Sequence, residues 1–268
     1  RRSISADHII CKRYTEMDIP ENITAKQMYD ELTAAMASKG HCYLLLDEIQ
    51  EIDGWEKAIN SLLEGADADI YVTGSNSKLM SSEISTYLTG RYVSIPVYTL
   101  SFKEYLAFKQ DSALSRRELL EEYIRFGGFP IVALSEYDEQ SAYQIVNGIY
   151  HTVVSRDIVK RHRINKQDLF DRVVKYIIEN MGKTFSANSI STFLKSEHRK
   201  VSVESIYNYL RWLEQAFIIY PCERYDLQGK SILKTQEKYY LSDVSLKYAL
   251  LGYNRKMLDG AMENIVFL

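Results

Sequence analysis

Tyr43-Leu44-Leu45-Leu46-Asp47-Glu48-Ile49-Gln50 is the stretch on which the reading of the fold turns. Four residues whose one polar group is a phenol hydroxyl precede two adjacent carboxylates. A short apolar run of this length predicts a strand buried on both faces, as in the middle of a parallel sheet. The carboxyl end of such a strand opens into the crevice where α/β sheets bind ligands, so Asp47 and Glu48 are expected at the mouth of a site. Two carboxylates there suit nucleotide hydrolysis: one holds magnesium, and the next orients or deprotonates the attacking water. The competing reading is a buried strand that ends in a solvated acidic turn, and the flanking sequence has to decide between them.

Upstream, His8-Ile9-Ile10-Cys11 reads as a short strand. Thr24-Ala25-Lys26-Gln27 has the form of a capping box, and Met28, Leu32 and Met36 continue a helix toward Gly40. Downstream, Asp53-Gly54-Trp55-Glu56 repeats the capping pattern ahead of Trp55, Ile59, Leu62 and Leu63, with Gly65 at the end. Asp69-Ile70-Tyr71-Val72-Thr73-Gly74-Ser75-Asn76 is the next strand and also turns polar at its carboxyl end. A parallel sheet with helical crossovers would set Ser75 and Asn76 beside Asp47 and Glu48, where a polar side chain can bond the attacking water or a terminal phosphate. A plain Gly-Ser-Asn turn accounts for the same residues. Leu88 to Ile95 forms a third run with Arg91 at its entry. Arg91 is either an arginine finger that neutralises charge on a transferring phosphoryl group or a surface arginine without a role.

The pattern then becomes helical: Ser101-Phe102-Lys103-Glu104 caps one helix, and a charged helix from about Ser115 leads into Phe126-Gly127-Gly128-Phe129-Pro130. That glycine pair requires a turn with unusual dihedrals and reads as a hinge for a small helical lid. A basic run, Lys160, Arg161, His162, Arg163 and Lys166, follows. Helices from about Gln167, Ser186 and Ser202, then strands over Phe217 to Glu223 and Lys238 to Leu241, are the parts of a winged helix. The helix from Ser202 carries Arg211 alone as a strong base or phosphate contact, so DNA binding and a structural or protein-binding role both stand.

With 268 residues and 46% hydrophobic content the chain is long enough for two domains. No apolar run approaches the roughly 18 residues of a membrane span, and the start lacks signal-peptide architecture; the expectation is a cytoplasmic protein with no membrane partner. Cys11, Cys42 and Cys222 are too few and too far apart for a disulfide framework or structural zinc, and each is expected as a small buried hydrophobe. Residues 1–150 hold 14 Lys and Arg against 23 Asp and Glu, whereas residues 151–268 hold 19 against 13. That asymmetry suggests two domains with different partners, a polyanion for the second; the competing reading is that the second half is only mildly basic.

The succession Leu-Leu-Leu-Asp-Glu-Ile-Gln, Tyr-Val-Thr-Gly-Ser-Asn-Ser, Leu-Thr-Gly-Arg-Tyr and Gly-Gly-Phe-Pro resembles a prokaryotic family of AAA-type P-loop ATPases. The resemblance runs from about Ile9 over nearly the whole chain. It implies an α/β fold: a P-loop NTPase parallel sheet core over residues 1–110, a helical lid over 111–160, an α+β winged-helix domain over 161–241, and the opening of a nuclease-like domain of unknown function over 242–268. It further implies ATP and Mg2+ as cofactors, with Asp47 as the magnesium-holding acid of a Walker B strand, Glu48 as the catalytic acid, and Ser75 or Asn76 as the sensor. Arg91 matches the Gly-Arg of the third motif. ATP, a DNA or protein partner at the winged helix, and an oligomer are the implied partners. The phosphate-binding G-x-x-x-x-G-K-[ST] loop is not among these residues; the resemblance puts it about one helix before Ile9, with Arg1-Arg2-Ser3 as its stub.

Overall fold

The computed structural model describes residues 4–16, 19–20, 22–74, 88, 90–135, 137–226, 231–253 and 260–268. They form two compact units, residues 1–95 and 96–268.

In the first unit, β1 (Ile9–Arg13), β2 (Cys42–Asp47) and β3 (Ala68–Val72) make a parallel sheet in that order. Helices α1 (Ala25–Met36) and α2 (Trp55–Gly65) are the crossovers. Thr24 caps α1 through the expected reciprocal box with Gln27. The cap of α2 differs: Gly54, left-handed at φ 74°, holds that position with no side-chain bond. The chain arrives there from a tight 3-10 turn, Ile49–Glu51, and a residue free of Cβ strain suits such an entry.

Side chains alternate across the sheet, and this limits the burial expected of the organising strand. Cys42, Leu44 and Leu46 pack with Ile10, Met28, Leu32, Ile59 and Leu62. The opposite face is open: Leu45 is 39% and Tyr71 52% exposed, and Cys11, expected buried, is exposed there. The three residues occupy one row across the register, Cys11 opposite Leu45 and Leu45 opposite Tyr71. Leu63, expected on the buried face of α2, is also exposed. Residues 91–98 take no strand; Val93, Ile95 and Val97 keep a strand's alternation but are 86, 75 and 90% exposed. A strand needs a hydrogen-bonding neighbour, and none of the described residues provides one there.

The second unit begins with α3 (Phe102–Phe108), capped at Ser101 as expected, and α4 (Arg116–Phe126); Ser101–Glu104 and Ser115–Glu118 both form reciprocal capping boxes. The short α5 (Pro130–Ala133) and α6 (Glu139–Val153) follow, and α6 continues as a π-helix over Val154–Lys160. Next come α7 (Gln167–Glu179), β4 (Thr184–Phe185), α8 (Ala187–Ser196), α9 (Val203–Gln215), β5 (Ile219–Asp226) and β6 (Ser231–Leu241). The strands form an antiparallel sheet of order β4-β6-β5, so the expected two-stranded hairpin gains a short third strand. The chain ends in α10 (Ser245–Leu251) and α11 (Ala261–Phe267). Val146, Phe170, Ile177, Leu213, Leu246 and Ala261 share one core. Buried Asn264 accepts the Leu241 N–H at 2.7 Å and donates to its carbonyl at 2.9 Å, tying α11 to β6. Among the described residues no helix is long and apolar enough to cross a membrane.

The glycine pair expected as a hinge is clamped. Gly127 stands at φ +73°, and a Cβ on it would lie 1.8 Å from Asp243 Oδ1; one on Gly128 would lie 2.2 Å from the Leu100 carbonyl. The Gly128 N–H donates to Asp243 Oδ2 at 2.7 Å, and its carbonyl accepts the Leu100 N–H at 2.8 Å. Close backbone approach, with little room for swivelling, is what requires glycine at these two positions.

Candidate active site

β2 and β3 run parallel with Leu46 opposite Val72, so their carboxyl ends share one rim. Beyond the last paired residues, Thr73 fastens the two ends. Its N–H donates to the Leu46 carbonyl at 2.9 Å, and its own carbonyl accepts the Ile49 N–H at 3.1 Å. Its hydroxyl accepts the Glu48 N–H at 3.3 Å and donates to Asp47 Oδ1. The Asp47 carboxylate, the Glu48 backbone and the Thr73 hydroxyl therefore meet at the rim where the sequence places the ligand crevice.

Glu48 is held in a left-handed conformation, φ 54° and ψ 43°, uncommon for a residue with a side chain. It caps the 3-10 turn Ile49–Glu51, whose first residue and the following Ile52 are fully buried. Backbone strain of this kind concentrates at functional sites because the surrounding packing must enforce it. The adjacent Gln50 is only 4% exposed, and its amide donates to Glu48 Oε2.

From the other side β1 brings Arg13 into register with Asp47. Arg13 Nε donates to Asp47 Oδ2 at 3.1 Å, and its Nη1 reaches Glu16 at the same distance. Tyr14, next along, donates its N–H to the Asp47 carbonyl at 3.1 Å. Its ring is buried and its hydroxyl has no hydrogen-bond partner among the described residues; burial pushes that phenol's pKa up.

The donor set suits a hard cation. Mg2+ takes oxygen ligands only, keeps several waters, and is commonly bound through one or two carboxylates plus substrate phosphates. Asp47, Glu48 and Thr73 offer oxygen alone. A carboxylate has about four lone-pair positions, so Asp47 can accept from Thr73 and Arg13 and still ligate. Among the described residues no group of three or more His, Cys, Asp or Glu is placed to hold a metal ion.

Of the residues expected in the site, Asp47 and Glu48 stand together at the rim. Ser75 and Asn76 lie outside the described residues, as do Arg1-Arg2-Ser3. Arg91 is engaged elsewhere: its Nη1 lies 3.0 Å from both Asn60 Oδ1 and Glu64 Oε1 on α2. That pairing holds the Glu64 carboxyl below its ordinary range. Sequence reasoning missed Thr73, Arg13 and Gln50. The last stood inside the organising stretch, and its unusual burial is the signal that composition alone does not carry.

A family model described as an AAA domain matches residues 6–106, and one described as a domain of unknown function (DUF8612) matches residues 117–256, more than half of the chain. An uncharacterized protein of Haemophilus influenzae is 38% identical over 234 residues, covering 87% of this chain and 58% of its own length. The uncharacterized protein MJ1544 of Methanocaldococcus jannaschii is 33% identical over 258 residues, covering 92% of this chain and 57% of its own length. The chain thus spans a little over half the length of these curated relatives. Among solved structures, a Walker-type ATPase of Pyrococcus abyssi aligns with a TM-score of 0.57 at 14% identity, covering 91% of this chain and 84% of that one. A likeness at that identity is one of fold.

Proposed function

The chain belongs to a prokaryotic family of AAA-type P-loop ATPases whose carboxyl-terminal part is a domain of unknown function, and from that premise we propose that the whole protein binds ATP with magnesium and hydrolyses it at the β2–β3 rim. The carrying observation is Thr73 bridging Asp47 and Glu48 across two adjoining parallel strands. Asp47 would hold the cation, and Glu48 would take the proton of the attacking water. Bound there, the ion would neutralise charge on the transferred phosphoryl group. Ser75 or Asn76, following Thr73 by two or three residues, is proposed as the sensor. Arg91 could act only after leaving Asn60 and Glu64.

The backbone amides and lysine that cradle the β- and γ-phosphates are proposed to come from a segment upstream of Ile9. Two features support this: the uncovered apolar row Cys11, Leu45 and Tyr71, and the rule that parallel sheets are covered on both faces. Residues 1–110 would be the ATPase core, 111–160 the lid and 161–241 a winged-helix domain, with 242–268 opening the nuclease-like part. Nucleotide state would be transmitted to the winged helix. In the full-length protein, Glu48→Gln should retain ATP binding and lose roughly 100-fold or more in turnover, a loss typical of a removed general base. Turnover equal to that of the unaltered protein would refute the assignment.

A second reading, a nucleotide-gated DNA-binding module with little turnover, draws on a different contact. His162 stacks flat on Trp212 of α9, ring centroids 4.1 Å apart and planes 9° apart. The basic run 160–166 is thereby set beside Arg211, and burial together with Arg161 and Arg211 lowers the pKa of His162. Duplex DNA affinity should then fall steeply with salt, and absence of binding at low salt would remove this reading.

A further inference from the structure

We infer that Gln50 is a positioning residue that aims the Glu48 carboxylate at the attacking water; the inference rests on the hydrolase reading above. Three fixings already hold the Glu48 backbone. Its N–H bonds the Thr73 hydroxyl at 3.3 Å, its carbonyl accepts the Glu51 N–H at 3.1 Å, and the next N–H bonds the Thr73 carbonyl at 3.1 Å. Those contacts set where the side chain starts and leave its torsions undetermined. A glutamate has three, and free rotation would spread its oxygens over several ångströms.

Gln50 removes that freedom. It is 4% exposed beside fully buried Ile49 and Ile52, so its own rotamer is locked by packing, and its amide donates to Glu48 Oε2. Among the described residues only that one Glu48 oxygen is engaged. The bond to Oε2 restrains the carboxylate, and Oε1 is the oxygen proposed to receive the proton. A neutral amide suits the task because it orients the base without competing for its negative charge, as Lys or Arg would. Burying a glutamine costs free energy unless it is hydrogen-bonded, and an apolar residue would fill the same space in a turn with no such task.

The test uses the full-length protein and two variants. Gln50→Met keeps the side chain's length and deletes the donor; Gln50→Glu keeps the shape and turns the donor into a second acceptor. With ATP and Mg2+, both should lower kcat about tenfold or more, a fraction of what a general base supplies. The dissociation constant of a fluorescent ATP analogue should stay within about twofold, since Gln50 aims a group that acts in the transition state rather than in binding. In a Glu48→Gln background the Gln50→Met change should cost nothing further, because the two residues act as one unit. Unchanged kcat in either folded variant, kcat and binding falling together, or additive losses in the double variant would each overturn the inference. If Glu48→Gln itself left turnover intact, the hydrolase reading would fall and take this one with it; full loss in Glu48→Gln beside intact Gln50 variants would sink the positioning role alone.

Discussion

Thr73 donates its hydroxyl hydrogen to the Asp47 carboxylate and accepts the Glu48 backbone N–H at 3.3 Å, so one side chain just past β3 ties down the two successive acidic residues at the end of β2. A valine there would keep the volume and break both bonds. Because the rim is solvated, water replaces the lost partners, and Thr73→Val should cost about 1 kcal/mol or less in a urea melt. Its effect on function should be larger: the magnesium concentration needed for half-maximal turnover should rise, as Asp47 loses the contact that orients it. Turnover with an unchanged magnesium requirement would mean that the threonine only closes the turn.

Arg13 and Asp47 form an ion pair at 3.1 Å, with about half of each side chain in water. Exposed pairs of this kind contribute about 0–1 kcal/mol, so Arg13→Gln should leave the melting temperature nearly unchanged. The same substitution removes a positive charge from the carboxylate proposed to take the cation. Apparent magnesium affinity should therefore tighten, most clearly at low ionic strength where the pair is least screened. Weaker magnesium binding in Arg13→Gln would instead make the arginine a support for Asp47.

The buried Asp243 carboxylate accepts the N–H groups of Gly128 at 2.7 Å and Ser245 at 2.9 Å, together with the Ser245 hydroxyl. Asp243→Ala would strand these donors in the interior, at a cost of roughly 2–4 kcal/mol in chemical denaturation. Gly127→Ala should be comparably damaging, since its Cβ would overlap the same carboxylate at a positive φ. Burial raises the Asp243 pKa. The folded state then holds the proton more tightly than the unfolded chain, and this residue's contribution to stability falls as pH climbs above its unfolded value of about 4. A free hinge would tolerate Gly127→Ala, and that tolerance is what the denaturation curve would reveal.

Local signals were legible in the sequence, whereas contacts set by register were not. The boxes at Thr24, Ser101, Ser115 and Ser186 follow from side chains that bond amides three residues on. The shared rim of β2 and β3 was legible as well, because short helical crossovers leave few topologies open. Arg13 was not: its place opposite Asp47 depends on the register of strands separated by α1. Asp243 lies 115 residues from Gly128, and no periodicity connects them. The sequence also reads Leu45 as buried, because an apolar run is the same whether one or both faces of its strand are covered; the cover decides.

The amino-terminal rim of the sheet carries a separate titrating cluster whose prediction is independent of the site. His41, just ahead of β2, lies 2.6 Å from Asp67 Oδ1 and 3.6 Å from Asp69 Oδ2, and its carbonyl is 2.8 Å from His8 Nδ1. The hydrogen bond to Asp67, with help from both carboxylates' charge, raises the His41 pKa. A raised histidine pKa means that the charged pair stabilises the fold fully below the unfolded value of about 6.5, and that this stabilisation disappears as pH rises through the higher folded value. Urea midpoints should therefore decline from pH 6 to a pH above that folded value, and either His41→Gln or Asp67→Asn should flatten this decline. Both changes should spare ATP turnover, because the opposite rim holds Asp47 and Glu48. A decline that persisted in both variants would assign the titration to another group.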